Sequence, residues 1–285
     1  MALSLWSFFS CSKESALPQE QRALQFSTVE SKSNLSLPFT TFNVWGEVCV
    51  ASSSEPLPLI QGYRVNYFNN QWSYTQGEGT EGQEMKYWSY SADEYRFHAG
   101  APLERVKDIT ASSLTLQVDT TTSQGGTTLF TQPYVVKRGD AQFGNTVNLK
   151  FTYANCRVNV AVKCKASKEV KVSDIKLTPP ASVYYPTSCT MQLSYDWSRQ
   201  SISLTSLTKQ SEANAPLEFA EITIPAESAN SVESSSPLYM IPDAGITGQW
   251  RATLKIDGIA REVLFTVDKG WESGKSYIYS FLYTD

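Results

Sequence analysis

The chain has 285 residues, 41% hydrophobic and 18% charged, a balance that excludes a disordered chain and leaves room for two modest cores. Lys+Arg 24 against Asp+Glu 28 gives a net charge of −4 with no basic run, which excludes a nucleic acid backbone as partner.

In chain order, the first element is MALSLWSFFSC, an apolar run too short to span a bilayer, which stops at Cys11 before the polar SKESALPQEQR. It resembles the end of a lipoprotein signal peptide, in which the cysteine becomes the lipidated first residue, here preceded by the small Ser10. Lys13 and Glu14 are similar to the charged export tag of surface lipoproteins in Gram-negative anaerobes.

Beyond this leader, almost every apolar stretch alternates with period two, so the chain is all-β. Phe42, Val44, Val48 and Val50 define one strand, and Tyr63, Val65 and Tyr67 another, which turns at Asn69-Asn70. Gly77, Gly79 and Gly82 then spell GxGxxG. A dinucleotide site needs a strand before this motif and a helix after it, whereas here QEMKYW follows and Glu78, Glu81 and Glu84 repel an anion; the segment is a loop. No cofactor is expected.

KYWSYSADEYRFHAGAP, residues 86–102, contains the single histidine. Tyr95, Phe97, Ala99 and Ala101 share one strand face, so His98 falls on the opposite face beside Arg96 and is expected at a polar or half-exposed surface. With no GxSxG or HExxH around it, His98 is assigned no catalytic or metal role, and the rings of the segment are read as sheet packing.

In TVNLKFTYANCRVNVAVKCK the apolar face is odd-numbered from Val147 to Tyr153 and even-numbered from Ala154 to Cys164, which requires a bulge or sharp bend near Tyr153-Ala154. A second change of phase falls between Val172 and Ile175. The domain division is set near residue 166: a leader over 1–22, a first sandwich over 23–166 and a second over 167–285. Near the end, Trp250, Ala252, Leu254 and Ile256 alternate up to Asp257-Gly258, a dipeptide suited to a type I′ turn, and Val263, Phe265 and Val267 return. The last segment, SYIYSFLYTD, alternates Tyr277, Tyr279, Phe281 and Tyr283 with Ile278, Ser280 and Leu282, as suits a strand buried between sheets or offered to a neighbour.

Cys49, Cys156, Cys164 and Cys189 show no CxxC or Cys/His spacing, so no metal site is expected. Cys156 and Cys164 lie eight residues apart on one face of one strand, about 26 Å at the usual rise, and cannot form a disulfide with each other. Asp93-Glu94, Asp196 and Asp243 are the acids open to a carboxylate hydrolase, but each sits in turn-like sequence. Trp72, Trp88, Trp197 and Trp271 are open either to stacking on sugar rings or to packing.

Four segments in order carry a family resemblance: KYWSYSADEYRFHAGAP, VNLKFTYANCRVNVAV, PLYMIPD and WESGKSYIYSF. Together they resemble the fimbrillin family, the type V pilins and accessory subunits of Gram-negative anaerobes. The resemblance implies two transthyretin-like β-sandwich domains in tandem, lipoprotein export with lipid on Cys11, a place at the outer membrane or cell surface, and no active site. It also implies polymerisation with other pilin subunits by β-strand exchange, with the Tyr277, Tyr279, Phe281 and Tyr283 segment as candidate donor, and a host or bacterial surface ligand. Arg22-Ala23 resembles the site where an arginine-directed protease cuts stalk pilins; the polar leader before it fits an uncleaved tip or anchor subunit equally well. A surface glycan-binding lipoprotein is the alternative, and a secreted carboxylate hydrolase the third reading.

Overall fold

The computed structural model describes residues 22–30 and 38–283. Cys11 therefore lies outside the described residues. The first half supplies β1 (Phe26–Glu30), β2 (Thr41–Cys49), β3 (Leu57–Phe68), β4 (Gln71–Ser73), β5 (Glu94–Ala101), β6 (Val106–Ile109), β7 (Ser113–Asp119), β8 (Leu129–Thr131), β9 (Tyr134–Lys137) and β10 (Val147–Tyr153). There follow β11 (Cys156–Cys164), β12 (Val170–Thr178), β13 (Tyr185–Asp196), β14 (Ser201–Ala213), β15 (Leu217–Phe219), β16 (Ile222–Ile224), β17 (Val232–Glu233), β18 (Leu238–Met240), β19 (Gly248–Ile256), β20 (Ile259–Val267) and β21 (Ser276–Tyr283). The protein is all-β, and among the described residues no helix is long and apolar enough to cross a membrane.

The turn chemistry follows the sequence. Asn69 and Asn70 have φ of 48° and 63°, and Asp257 and Gly258 have 47° and 83°, the left-handed conformations that a two-residue hairpin turn demands. Gly77, Gly79 and Gly82 lie in turns with no helix after them, so the GxGxxG stretch is a loop.

Among the described residues the strands form four sheets. An eight-stranded sheet runs β1-β10-β8-β5-β2-β3-β4, with β9 also on β5, and its inner face carries a core that includes Phe26, Phe42, Val44, Trp88, Tyr95, Phe97 and Phe151. This sheet curls until its two ends approach: the Tyr74 hydroxyl, just past β4, donates to the Leu24 carbonyl at 3.0 Å. A second sandwich is formed by β17/β18-β11-β21 facing β15/β16-β12-β19-β20, around Val158, Val160, Ile175, Leu177, Trp250 and Trp271.

The fourth sheet, β14-β13-β7-β6, covers the outer face of the first, and Leu114, Leu116, Met191, Leu193 and Tyr195 form a third core there. This layer corrects the expectation for His98. Its face does oppose the one bearing Tyr95 and Phe97, but the β13 side chains cover it, and His98 is fully buried with its ring 4.1 Å from that of Tyr195. Alternation identifies the face; a layer recruited from nearly a hundred residues downstream decides that it is dry.

Both predicted changes of phase are present. Between β10 and β11 the chain bends at Ala154-Asn155 and passes from the first core to the second. β11, which precedes residue 166, packs with the second core. In β12 the register against β19 shifts between Ser173 and Lys176, around Asp174 with φ of 52°. Cys156 and Cys164 occupy the two ends of β11, both buried, as their spacing requires.

Candidate functional site

The two ends of the described chain have the same structural role. β1 lies at the rim of the first sheet and pairs in parallel with β10, Phe26 opposite Val147 and Thr28 opposite Leu149. β21 lies at the rim of its sheet and pairs in parallel with β11, from Arg157 opposite Ser276 to Cys164 opposite Tyr283. Because β10 and β11 are consecutive, one long bent ribbon, residues 147–164, carries both terminal strands. Parallel partners so distant in sequence have no hairpin to tie them, so each terminal strand is held by one ladder and by its side chains.

β1 fills its place thinly. Leu24 and Phe26 are buried, and Phe26 makes edge contacts with Tyr74 and Phe97, each with ring centroids 5.7 Å apart. Burial of two such side chains contributes roughly 2–3 kcal/mol each. The next position facing the core is Thr28, a polar residue that is only half-buried. Between β1 and β4 the curled sheet leaves a narrow cleft of about 170 Å³ lined by Leu24, Phe26, Trp72 and Tyr74 together with the polar Gln71 and Thr75. The rim that β1 closes is therefore of mixed polarity and incompletely filled.

Upstream, Ala23 forms an antiparallel bridge with Tyr87, the Leu24 amide donates to the Lys86 carbonyl at 2.8 Å, and the Trp88 amide donates to the Arg22 carbonyl at 3.0 Å. Arg22 itself is exposed, and its guanidinium donates to the Asn145 side chain at 3.3 Å. A cut between Arg22 and Ala23 would leave β1 seated on β10.

β21 presents Tyr277, Tyr279, Phe281 and Tyr283 to the second core, all half-buried, with the Tyr279 hydroxyl accepting from the Trp271 indole at 3.1 Å. Its other face, including Ile278 and Leu282, is exposed. The strand is thus not buried between sheets, which corrects one of the two readings of its apolar alternation.

The remaining candidate residues serve packing and local polar contacts. Trp88 and Trp271 are buried, and Trp72 and Trp197 pack against cores, so these four do not form a solvent-facing platform. Asp93 pairs with Arg138, Glu94 with Arg96 and Lys137, and Asp196 accepts from the Ser198 and Arg199 amides. Asp243 accepts from the Gly245 amide and from Lys209. The His98 Nε2 donates to the Thr110 carbonyl at 2.6 Å, its Nδ1 has no partner, and burial pushes its pKa down to about 4. Burial pushes the Cys156 and Cys189 thiols up to about 12. Among the described residues no three His, Cys, Asp or Glu side chains are grouped to hold a metal ion. Sequence reasoning missed β1 as an element, because FSTVE is short and its partner lies more than a hundred residues away.

The fimbrillin-like family model matches residues 51–285, and the chain belongs to that family. Membership makes it a structural protein of surface adhesion rather than an enzyme. No curated protein matches the chain. Among solved structures, a candidate cell adhesion protein from Bacteroides ovatus superposes with a TM-score of 0.51 at 12% identity, over 92% of this chain and 92% of that one. A candidate cell adhesion protein from Bacteroides uniformis gives 0.48 at 13% identity, covering 94% and 95%. A fimbrial protein from Bacteroides ovatus gives 0.43 at 9% identity, covering 93% of this chain and 50% of that one.

Proposed function

We propose that this chain is a structural and adhesive subunit of a surface fimbria, exported as a lipoprotein through Cys11, held at the outer membrane by that lipid, and joined to other subunits by exchange of β-strands. The observation that carries this reading is the pairing of both terminal strands, in parallel, with consecutive halves of one ribbon. β21 offers four aromatic side chains at period two, where β1 offers Phe26 and then Thr28. A neighbour's β21 seated on β10 would bury more apolar surface than β1 does, while restoring the same backbone ladder.

Cleavage at Arg22 is compatible with this scheme but does not by itself free the rim, because β1 follows the cut. Displacement of β1 by the incoming strand is the required step. An uncleaved tip or anchor subunit that keeps its lipid fits the same geometry. The test treats the purified chain with an Arg-specific protease and follows assembly by electron microscopy and by SDS-resistant laddering. Ladders and filaments are expected; monomers both before and after treatment would reject self-polymerisation.

A further inference from the structure

We propose that the turn Arg138-Gly139-Asp140 is the ligand segment for an adhesion receptor that takes the guanidinium on a carboxylate of its own and the aspartate on a divalent cation it holds. The tripeptide stands in KRGDAQFG, between β9 and β10. Three residues are a weak signal by themselves, and their placement carries the inference.

Lys137 to Asp140 form a closed turn: the Asp140 amide donates to the Lys137 carbonyl at 3.0 Å, and Gly139, at the third position, has φ of 99°. Residues 137–142 are all exposed, and beyond its chain neighbours no atom lies within 4 Å of where a Cβ on Gly139 would stand. Both flanks of the turn are fixed. The Arg138 amide donates to the Asp93 carbonyl at 2.8 Å, and past the turn the half-buried Phe143 ring packs on Trp88 and Tyr95 with centroids 5.4 and 5.7 Å away. An exposed turn held between a strand end and an anchored ring loses little freedom on binding.

The two charged ends are kept apart. The Arg138 guanidinium pairs with Asp93 and not with Asp140, and the two side chains of that pair are 51% and 43% exposed. Releasing such a surface pair costs no more than about fivefold in affinity. Asp140 accepts from the Lys137 amide through Oδ2 at 2.7 Å, and among the described residues nothing bonds to its Oδ1, which is open to a hard cation as a single carboxylate ligand. A forked cation and an acid on either side of a glycine suit a partner that pairs with the first bidentately and coordinates the second. The inference rests on the adhesive half of the proposed function and is independent of strand exchange, since none of these residues lies in β1, β10 or β21.

The test passes the full, unassembled chain over an immobilised ectodomain of an Arg-Gly-Asp-binding integrin in buffer containing magnesium. Saturable binding is expected, abolished by EDTA and by a cyclic Arg-Gly-Asp peptide. Arg138→Gln and Asp140→Asn should each weaken it by about thirtyfold or more. Thermal melting should not change, because Asp140→Asn keeps an acceptor for the Lys137 amide. Asp140→Glu, which keeps the charge but lengthens the side chain, should bind as weakly as Asp140→Asn, whereas Lys137→Gln, in the same turn, should bind within about twofold of the wild type. No binding with magnesium present, binding that survives EDTA, or equal binding by the Arg138 and Asp140 variants would each overturn the proposal. Animal cells that adhere equally to the wild type and to Asp140→Asn would overturn it while leaving the adhesive reading intact, and SDS-resistant laddering scores strand exchange separately.

Discussion

Phe26 stands edge-on to Phe97, with ring centroids 5.7 Å apart and planes at 84°, and this contact joins a terminal strand bound by a single ladder to the centre of the first core. Replacing Phe26 with alanine removes the largest side chain that holds β1. A loss of about 3 kcal/mol is expected for β1. Native-state hydrogen exchange should show the amides of β1 opening far more often while those of β5 keep most of their protection. Equal loss of protection in β5 would mean that β1 does not detach separately.

His98 gives the protein a defined acid sensitivity. The imidazole is held neutral, with a pKa of about 4 when folded against an unfolded value near 6.5, so between these values the unfolded chain binds the extra proton. Stability from this residue is complete above pH 6.5 and falls on acidification towards pH 4, by about 3 kcal/mol. Urea midpoints for the wild type and for His98→Gln should therefore converge as pH falls from 6.5 to 4. Parallel profiles would contradict the burial of a neutral ring.

Thiol labelling reads the same packing. Cys156 and Cys189 are fully buried with pKa raised to about 12, whereas Cys49 is half-buried at the end of β2, its pKa raised by burial. Mass spectrometry after brief alkylation at pH 8 should find Cys49 modified and Cys156 and Cys189 protected until denaturant is added.

At the crossing between cores, the buried Asn155 side chain accepts from the Thr128 amide and donates to the Asp119 carbonyl, both at 3.0 Å, while its own carbonyl accepts from the Gly274 amide at 3.0 Å. Asn155→Ala strands two buried backbone groups and is expected to cost roughly 2–4 kcal/mol, seen as a lower melting temperature. Asn155→Asp keeps the acceptor for Thr128 but sets a buried carboxylate oxygen against the Asp119 carbonyl, and should cost at least as much.

Most of the local structure was legible in the residues. Asn69-Asn70 and Asp257-Gly258 announced their hairpins, and the change of parity at Tyr153-Ala154 announced the bend that passes the chain between cores. What was not legible depends on pairings between distant segments. Nothing in FSTVE names β10 as its partner, and nothing near His98 reveals that Tyr195 and Trp197 will roof it. The exposed outer face of β21 escaped for a related reason: alternation of aromatics with Ile278 and Leu282 is compatible with a strand buried on both sides, and only the sheet order shows that no layer covers it.

The central claim is that β1 must leave β10 for subunits to join. Ser27 and Asn148 face each other across that parallel ladder, so the double variant Ser27→Cys, Asn148→Cys can lock the strand with a disulfide and free it with reductant. SDS-resistant laddering of this variant should be absent when oxidised and restored on reduction. Ladders that form equally well with the strand locked would contradict the account.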